Sequence, residues 1–183
     1  MTNSRIIKNT SKFLSYILRH KPDSIGLTLD DYGWADVKEL IKKANASGRN
    51  VTLDLLRDVV ANNDKQRFSF SQNFKYIRAN QGHSIKIDLG LEPIEPPDTL
   101  YHGTATRNLD SIFADGINAG NRHHVHLSST IDTARVVGAR HGQPIVLEIN
   151  ARCMYEDGHE FMCSDNGVWL TEHVPSIYIT VIG

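Results

Sequence analysis

Two short segments concentrate side chains able to bind or transfer groups. Tyr101-His-Gly-Thr104 sets a histidine beside a glycine at the end of a short strand-like stretch. Asn121-Arg-His-His-Val-His-Leu-Ser128 holds three histidines and an arginine. Near neutral pH a histidine serves as acceptor, cation or metal ligand, and glycine lets a ligand approach the backbone closely. On a strand His124 and His126 point to one face. Two chemistries stay open. One is a zinc site completed by Cys153 or Cys163. The other is an organic ligand held by imidazoles and by Arg122. Against zinc, the cysteines lie ten positions apart, no second pair has metal-ligand spacing, and there is no HExxH.

A third segment, Arg78-Ala-Asn-Gln-Gly-His-Ser84, gathers amide, imidazole and hydroxyl groups around one glycine. That chemistry suits an anion site or a polar turn. Arg19 and His20 end a helical pattern, where cations also complement the helix dipole. Arg67 opens a strand-like run, where a charge also guards a sheet edge.

These residues need elements to position them. Phe13, Leu14, Ile17 and Leu18 recur at helical spacing after a possible cap at Thr10 or Ser11, and Pro22 ends that helix. A second helix reads from Ala35 to Ala44, with Val37, Leu40, Ile41 and Ala44 on one face. A third follows Thr52, a good cap, with Leu53, Leu56, Val59 and Val60 inward. Arg67 to Phe70 alternates like a strand, Ser71 to Asn73 turns, and Phe74 to Arg78 returns. Three helices and a hairpin describe a winged-helix lobe. Pro93, Pro96 and Pro97 then mark an extended connector, which divides the chain into residues 1–92 and 93–183. Beyond it the pattern is mixed α+β. Strands are expected at Leu100 to His102, His124 to Leu127, Pro144 to Asn150, Val168 to Thr171 and Ile177 to Ile182. One helix runs from Thr106 to Gly116 with Leu109, Ile112 and Phe113 inward, and another runs from Thr130 or Asp132 to Gly142.

Charge divides the same way. Residues 1–92 carry 15 Lys and Arg against 10 Asp and Glu, and the remainder 5 against 11. A basic first part fits a nucleic-acid partner, or solvated helix faces. No apolar run approaches a membrane span. Met1 to Lys8 lacks the apolar core of a secretory signal. Two unpaired cysteines fit a reducing, cytoplasmic setting, and a monomer is the default.

Taken together, Leu18-Arg-His20, Arg78 to Ser84, Tyr101 to Thr104, His124 to Ser128, Val137-Gly-Ala-Arg-His-Gly142 and Gly167-Val-Trp-Leu-Thr171 resemble the RNA 2′-phosphotransferases of the KptA type. The resemblance runs from about Thr10 to the C-terminus. It implies an α+β chain with an N-terminal winged-helix lobe that binds RNA. It also implies a C-terminal lobe of the ADP-ribosyltransferase fold that binds NAD⁺. The reaction implied removes an internal 2′-phosphate from RNA of the tRNA splice-junction type. It passes through an ADP-ribosylated RNA phosphate and yields 2′-hydroxyl RNA, nicotinamide and ADP-ribose 1″,2″-cyclic phosphate, with NAD⁺ as co-substrate and no metal. By the same resemblance Arg19, His20, Arg67 and Arg122 surround the RNA phosphate. His102, Gly103 and Thr104 hold the adenylate-side ribose or the pyrophosphate, and His126 and Ser128 face the nicotinamide half. His102 and His126 are the first two members of the fold's signature triad, and Val168 takes the third position, where many relatives carry a catalytic glutamate. Arg140 and His141 help with the dinucleotide phosphates or only close a helix end. Three rival functions remain: ADP-ribosylation of nucleic-acid ends without the second step, a non-catalytic RNA- or NAD-binding module, and zinc-dependent hydrolysis.

Overall fold

The computed structural model describes residues 4–63 and 65–182. Residues 1–3, on which the N-terminal leader reading partly rests, lie outside the described residues. The chain forms two compact units, Met1–Gly90 and Leu91–Gly183. Each is a mixture of helices and small antiparallel sheets. Among the described residues no helix is long and apolar enough to cross a membrane.

In the first unit α1 spans Ser4–Arg19, β1 Ala35–Asp36, α2 Val37–Ala46, α3 Leu53–Ala61, β2 Phe68–Phe70 and β3 Tyr76–Ala79. The first helix starts at Ser4, well before the expected cap at Thr10 or Ser11. Thr10 is buried in the helix interior, and Ile7 packs on the core. Tertiary packing therefore outweighs the local preference of Thr and Ser for caps. Asp36 caps α2 by accepting from the Glu39 N–H at 2.9 Å, so this helix opens two residues later than the pattern suggested. Thr52 caps α3 by accepting from Leu55. Inward positions on α3 are Leu55, Leu56 and Val59, with Leu53 and Val60 only half-buried. Strand order is β1-β3-β2. The β2–β3 hairpin pairs Phe68 with Ala79 and Phe70 with Ile77. Leu14, Ile17, Leu18, Leu40, Leu56 and Ile77 are fully buried and join the three helices to this sheet.

In the second unit β4 spans Thr99–Ala105, α4 Leu109–Asp115, β5 Ile117–Asn118, β6 Val125–Leu127, α5 Ile131–Gly138, β7 Pro144–Asn150, α6 Ala151–Glu156, β8 Met162–Cys163, β9 Trp169–Thr171, β10 His173–Val174 and β11 Ile179–Val181. Strand β7 sits between β4 and β11, and β9 sits between β6 and β8. Reciprocal bonds between Tyr101 and Ser128 at 2.8 Å bring the end of β6 to β4. Helix α5 packs on β4 and β7. The core is built from Leu100, Leu147, Ile149, Met154, Phe161 and Val174.

Several local expectations change. Phe113 is exposed, because only Ile112 and part of Leu109 face the core from the short α4. His124 precedes its strand. Helix α5 closes at Gly138, not Gly142, and Ser176–Tyr178 form a 3₁₀ turn before the last strand. Helix α6 and the two-residue strands β5, β8 and β10 carry too little periodicity to be read locally.

Candidate functional site

Arg19, His20 and Arg67 all attach to one segment of the first unit, residues 80–84. The Ser84 N–H donates to the Arg19 carbonyl at 2.9 Å, satisfying one of the open carbonyls at the end of α1. His20 Nδ1 and the Ser84 hydroxyl share a 2.9 Å hydrogen bond. Gly82 has φ +85° and turns its bare Cα toward the Arg19 guanidinium. That guanidinium also lies 5.9 Å from the Phe68 ring centroid. On the other side, Asn80 donates its N–H to the Arg67 carbonyl at 2.9 Å and its side-chain amide to the Gln66 carbonyl at 2.6 Å. The Asn80 side-chain oxygen is buried and has no hydrogen-bond partner within the chain. Arg78 stacks on Trp34 at 4.6 Å, so it fixes the start of the segment.

The Arg67 guanidinium donates to Asn63 Oδ1 at 2.9 Å. Asn63 is buried. It also accepts from the Lys65 N–H and donates to Ser11 on α1 at 3.4 Å. In sequence this asparagine marks only the end of a helix. Its signal lies in having a neighbour, Arg67, at hydrogen-bonding reach.

The second unit assembles a separate group. His102, half-buried on β4, donates Nδ1–H to the His126 carbonyl at 3.1 Å. His126 in turn donates Nδ1–H to the His124 carbonyl at 2.9 Å. A carbonyl only accepts, so both rings carry their proton on Nδ1 when neutral. Burial lowers the His102 pKa from its ordinary 6.5. The bond to the His126 carbonyl opposes this, and the charge of His141 adds to it. His102 is therefore neutral at pH 7 and presents Nε2 as an acceptor. Burial also lowers the Arg122 pKa, and the like charge of Arg140 lowers it further. Arg140 and His141, just past the end of α5, thus act electrostatically on Arg122 and His102 respectively.

Other expected residues have structural duties that sequence alone did not reveal. Gly103 is buried against α5, where a Cβ would overlap the Ala134 carbonyl. The close approach it permits is made by a helix, reciprocated by Gly138 against Thr104. Thr104 is buried and its hydroxyl accepts from the Asn108 side chain at 3.0 Å. Ser128 is half-buried at the bridge to Tyr101. Val168 lies half-buried in the turn joining β8 to β9, with its N–H on the Ser164 hydroxyl at 3.2 Å. Among the described residues no three His, Cys, Asp or Glu side chains converge as a metal-holding group.

The comparison with known proteins gives the class: the chain belongs to the RNA 2′-phosphotransferase, Tpt1 / KptA family, which its residues 4–173 match. It is 56% identical over 172 residues to a probable RNA 2′-phosphotransferase of Agrobacterium fabrum, covering 94% of this chain and 92% of that protein. A protein of the same description in Acaryochloris marina is 53% identical over 176 residues, covering 96% of this chain and 97% of its own. Another, in Nostoc punctiforme, is 50% identical over 182 residues, covering both chains in full.

Proposed function

We propose that this chain removes an internal 2′-phosphate from RNA of the tRNA splice-junction type and transfers it to NAD⁺. The observation that carries this reading is the attachment of Arg19, His20 and Arg67 to the single segment 80–84, in a member of the RNA 2′-phosphotransferase family. Forked guanidinium donors and an imidazole match a phosphate dianion in shape and charge. The first unit is read as a winged-helix RNA-binding lobe, supported by three helices followed by the β2–β3 hairpin. The second is read as an ADP-ribosyltransferase-like lobe. Support comes from neutral His102, whose Nε2 suits a ribose hydroxyl, and from the Arg122 and Arg140 charges, which suit phosphate.

Under this reading NAD⁺ is a co-substrate. A 2′-phosphate oxygen bonds to C1″ of the nicotinamide ribose as neutral nicotinamide departs. The nucleophile is already anionic, so an apolar Val168 needs no carboxylate in its place. The ribose 2″-oxygen then bonds to phosphorus and the RNA 2′-oxygen leaves. One proton is lost at the 2″-oxygen and one gained at the 2′-oxygen. His20 is the donor to that leaving oxygen or the cation that holds the phosphate, and Arg19, Arg67 and Arg122 spread the phosphoryl charge. Gly103, Thr104, His126, Ser128 and His141 complete the dinucleotide contacts. The test incubates the purified chain with NAD⁺ and an RNA bearing one internal 2′-phosphate, and follows all products by mass. Equal amounts of nicotinamide, ADP-ribose cyclic phosphate and 2′-hydroxyl RNA support both steps. ADP-ribosylated RNA alone limits the chain to the first step, and no nicotinamide release overturns the reading.

A further inference from the structure

Helix α1 contains Arg5, Lys8, Lys12 and Arg19 and no acidic residue. Lys8 and Lys12 are exposed and four positions apart, a like-charge pair that mildly destabilises a helix on its own. Ser4, Lys8, Ser11, Ser15 and Arg19 recur every three or four residues, with Lys12 four positions beyond Lys8, and so form one stripe. From Lys8 to Arg19 the stripe rises roughly 16 Å at 1.5 Å per residue. Most of it borders a groove of about 670 Å³, closed on its other side by the end of α3 and by Lys65 and Arg67. Every charged side chain among the described residues lining this groove is cationic. Its floor is tied together: buried Asn63 bonds Ser11 on α1 and holds Arg67.

We propose that this groove binds the RNA strand flanking the 2′-phosphate, through its internucleotide phosphates. The inference rests on the reading of 2′-phosphorylated RNA as substrate. Lysines act on phosphate as point charges, without base recognition, so binding there is salt-dependent and indifferent to sequence. Hydroxyl and amide groups from Ser11, Ser15 and Asn62 add donors that position a backbone. The groove includes Arg67, which that reaction assigns to the 2′-phosphate, so a strand leaving the reacting nucleotide meets Lys8, Lys12 and Lys65. That continuity favours RNA over an anionic membrane surface as the occupant.

The test compares the wild-type chain with K8A/K12A, whose altered side chains are exposed and lie outside the proposed catalytic set. Two activity substrates are used: a 2′-phosphorylated dinucleotide, and an RNA of about twelve nucleotides with one central 2′-phosphate. Binding of the same long RNA without a 2′-phosphate is titrated at several salt concentrations. Expected results are a several-fold rise in KM for the long substrate only, and a log–log salt slope shallower by roughly 1.4. Equal losses on both substrates, unchanged RNA binding, or no RNA binding by the wild type overturns the groove. So does unchanged RNA binding with lost binding to phosphatidylserine vesicles, which would assign the stripe to membranes. If the wild type transfers no phosphate from either substrate, the catalytic reading fails, and the binding titration still decides the groove.

Discussion

His102 gives its Nδ1 proton to the main-chain carbonyl of His126, 24 residues away in sequence, at 3.1 Å. The bond fixes the ring's tautomer and its orientation at the same time. It leaves Nε2 as the ring's acceptor.

The first expectation concerns pH. A histidine with a lowered native pKa binds fewer protons folded than unfolded, between that pKa and 6.5. Stability then rises with pH through this window and falls as pH drops below 6.5. Burial lowers both His102 and His124, with the charge of His123 also lowering His124. The denaturation midpoint is expected to drop between pH 7.5 and pH 5.5, and by less in H102Q/H124Q. An identical drop in that variant removes these two histidines as the cause.

The second concerns packing. Gly103→Ala forces its Cβ into the Ala134 carbonyl, and backbone cannot swing aside as a side chain does. Overpacking of this kind costs about 1–3 kcal/mol, so Tm is expected to fall clearly. An unchanged Tm would show that α5 is not seated on β4 as described.

The third separates the two proposed chemical steps. Arg122 sits at a bend outside both core clusters and is only partly desolvated, so Arg122→Ala should keep its fold. The later step builds more charge on the phosphoryl oxygens, so ADP-ribosylated RNA should accumulate. Turnover should slow on the order of 10²–10³, by analogy with the loss of an oxyanion donor. Wild-type turnover in this variant refutes the role given to Arg122.

The fourth concerns Asn63 as a positioning residue for Arg67. Asn63→Ala removes an acceptor from Arg67 and from the Lys65 N–H. The expected loss is about 1–3 kcal/mol of stability, with lower kcat/KM on 2′-phosphorylated RNA. Asn63→Asp keeps the acceptor and should recover much of the activity. Equal kinetics for the two variants would make Asn63 a packing residue only.

Much of the fold was legible locally. The Thr52 and Thr130 caps and the strand Pro144–Asn150 stand where caps, turns and alternation put them. Boundaries failed where burial overrode propensity, as at Thr10 inside α1, and where an element was too short to show a period, as at β5 and β8.

By itself the sequence determined the motifs, the charge asymmetry and the resemblance to the family, because those depend on residue identity and order. Tertiary structure alone decided which distant side chains meet. His20 reaches Ser84 across 64 positions, and Asn63 reaches Ser11 across 52. It also decided that Gly103 receives a helix on the side its missing side chain leaves open. Such contacts depend on how separate elements pack and which way their side chains point, and no local pattern encodes either.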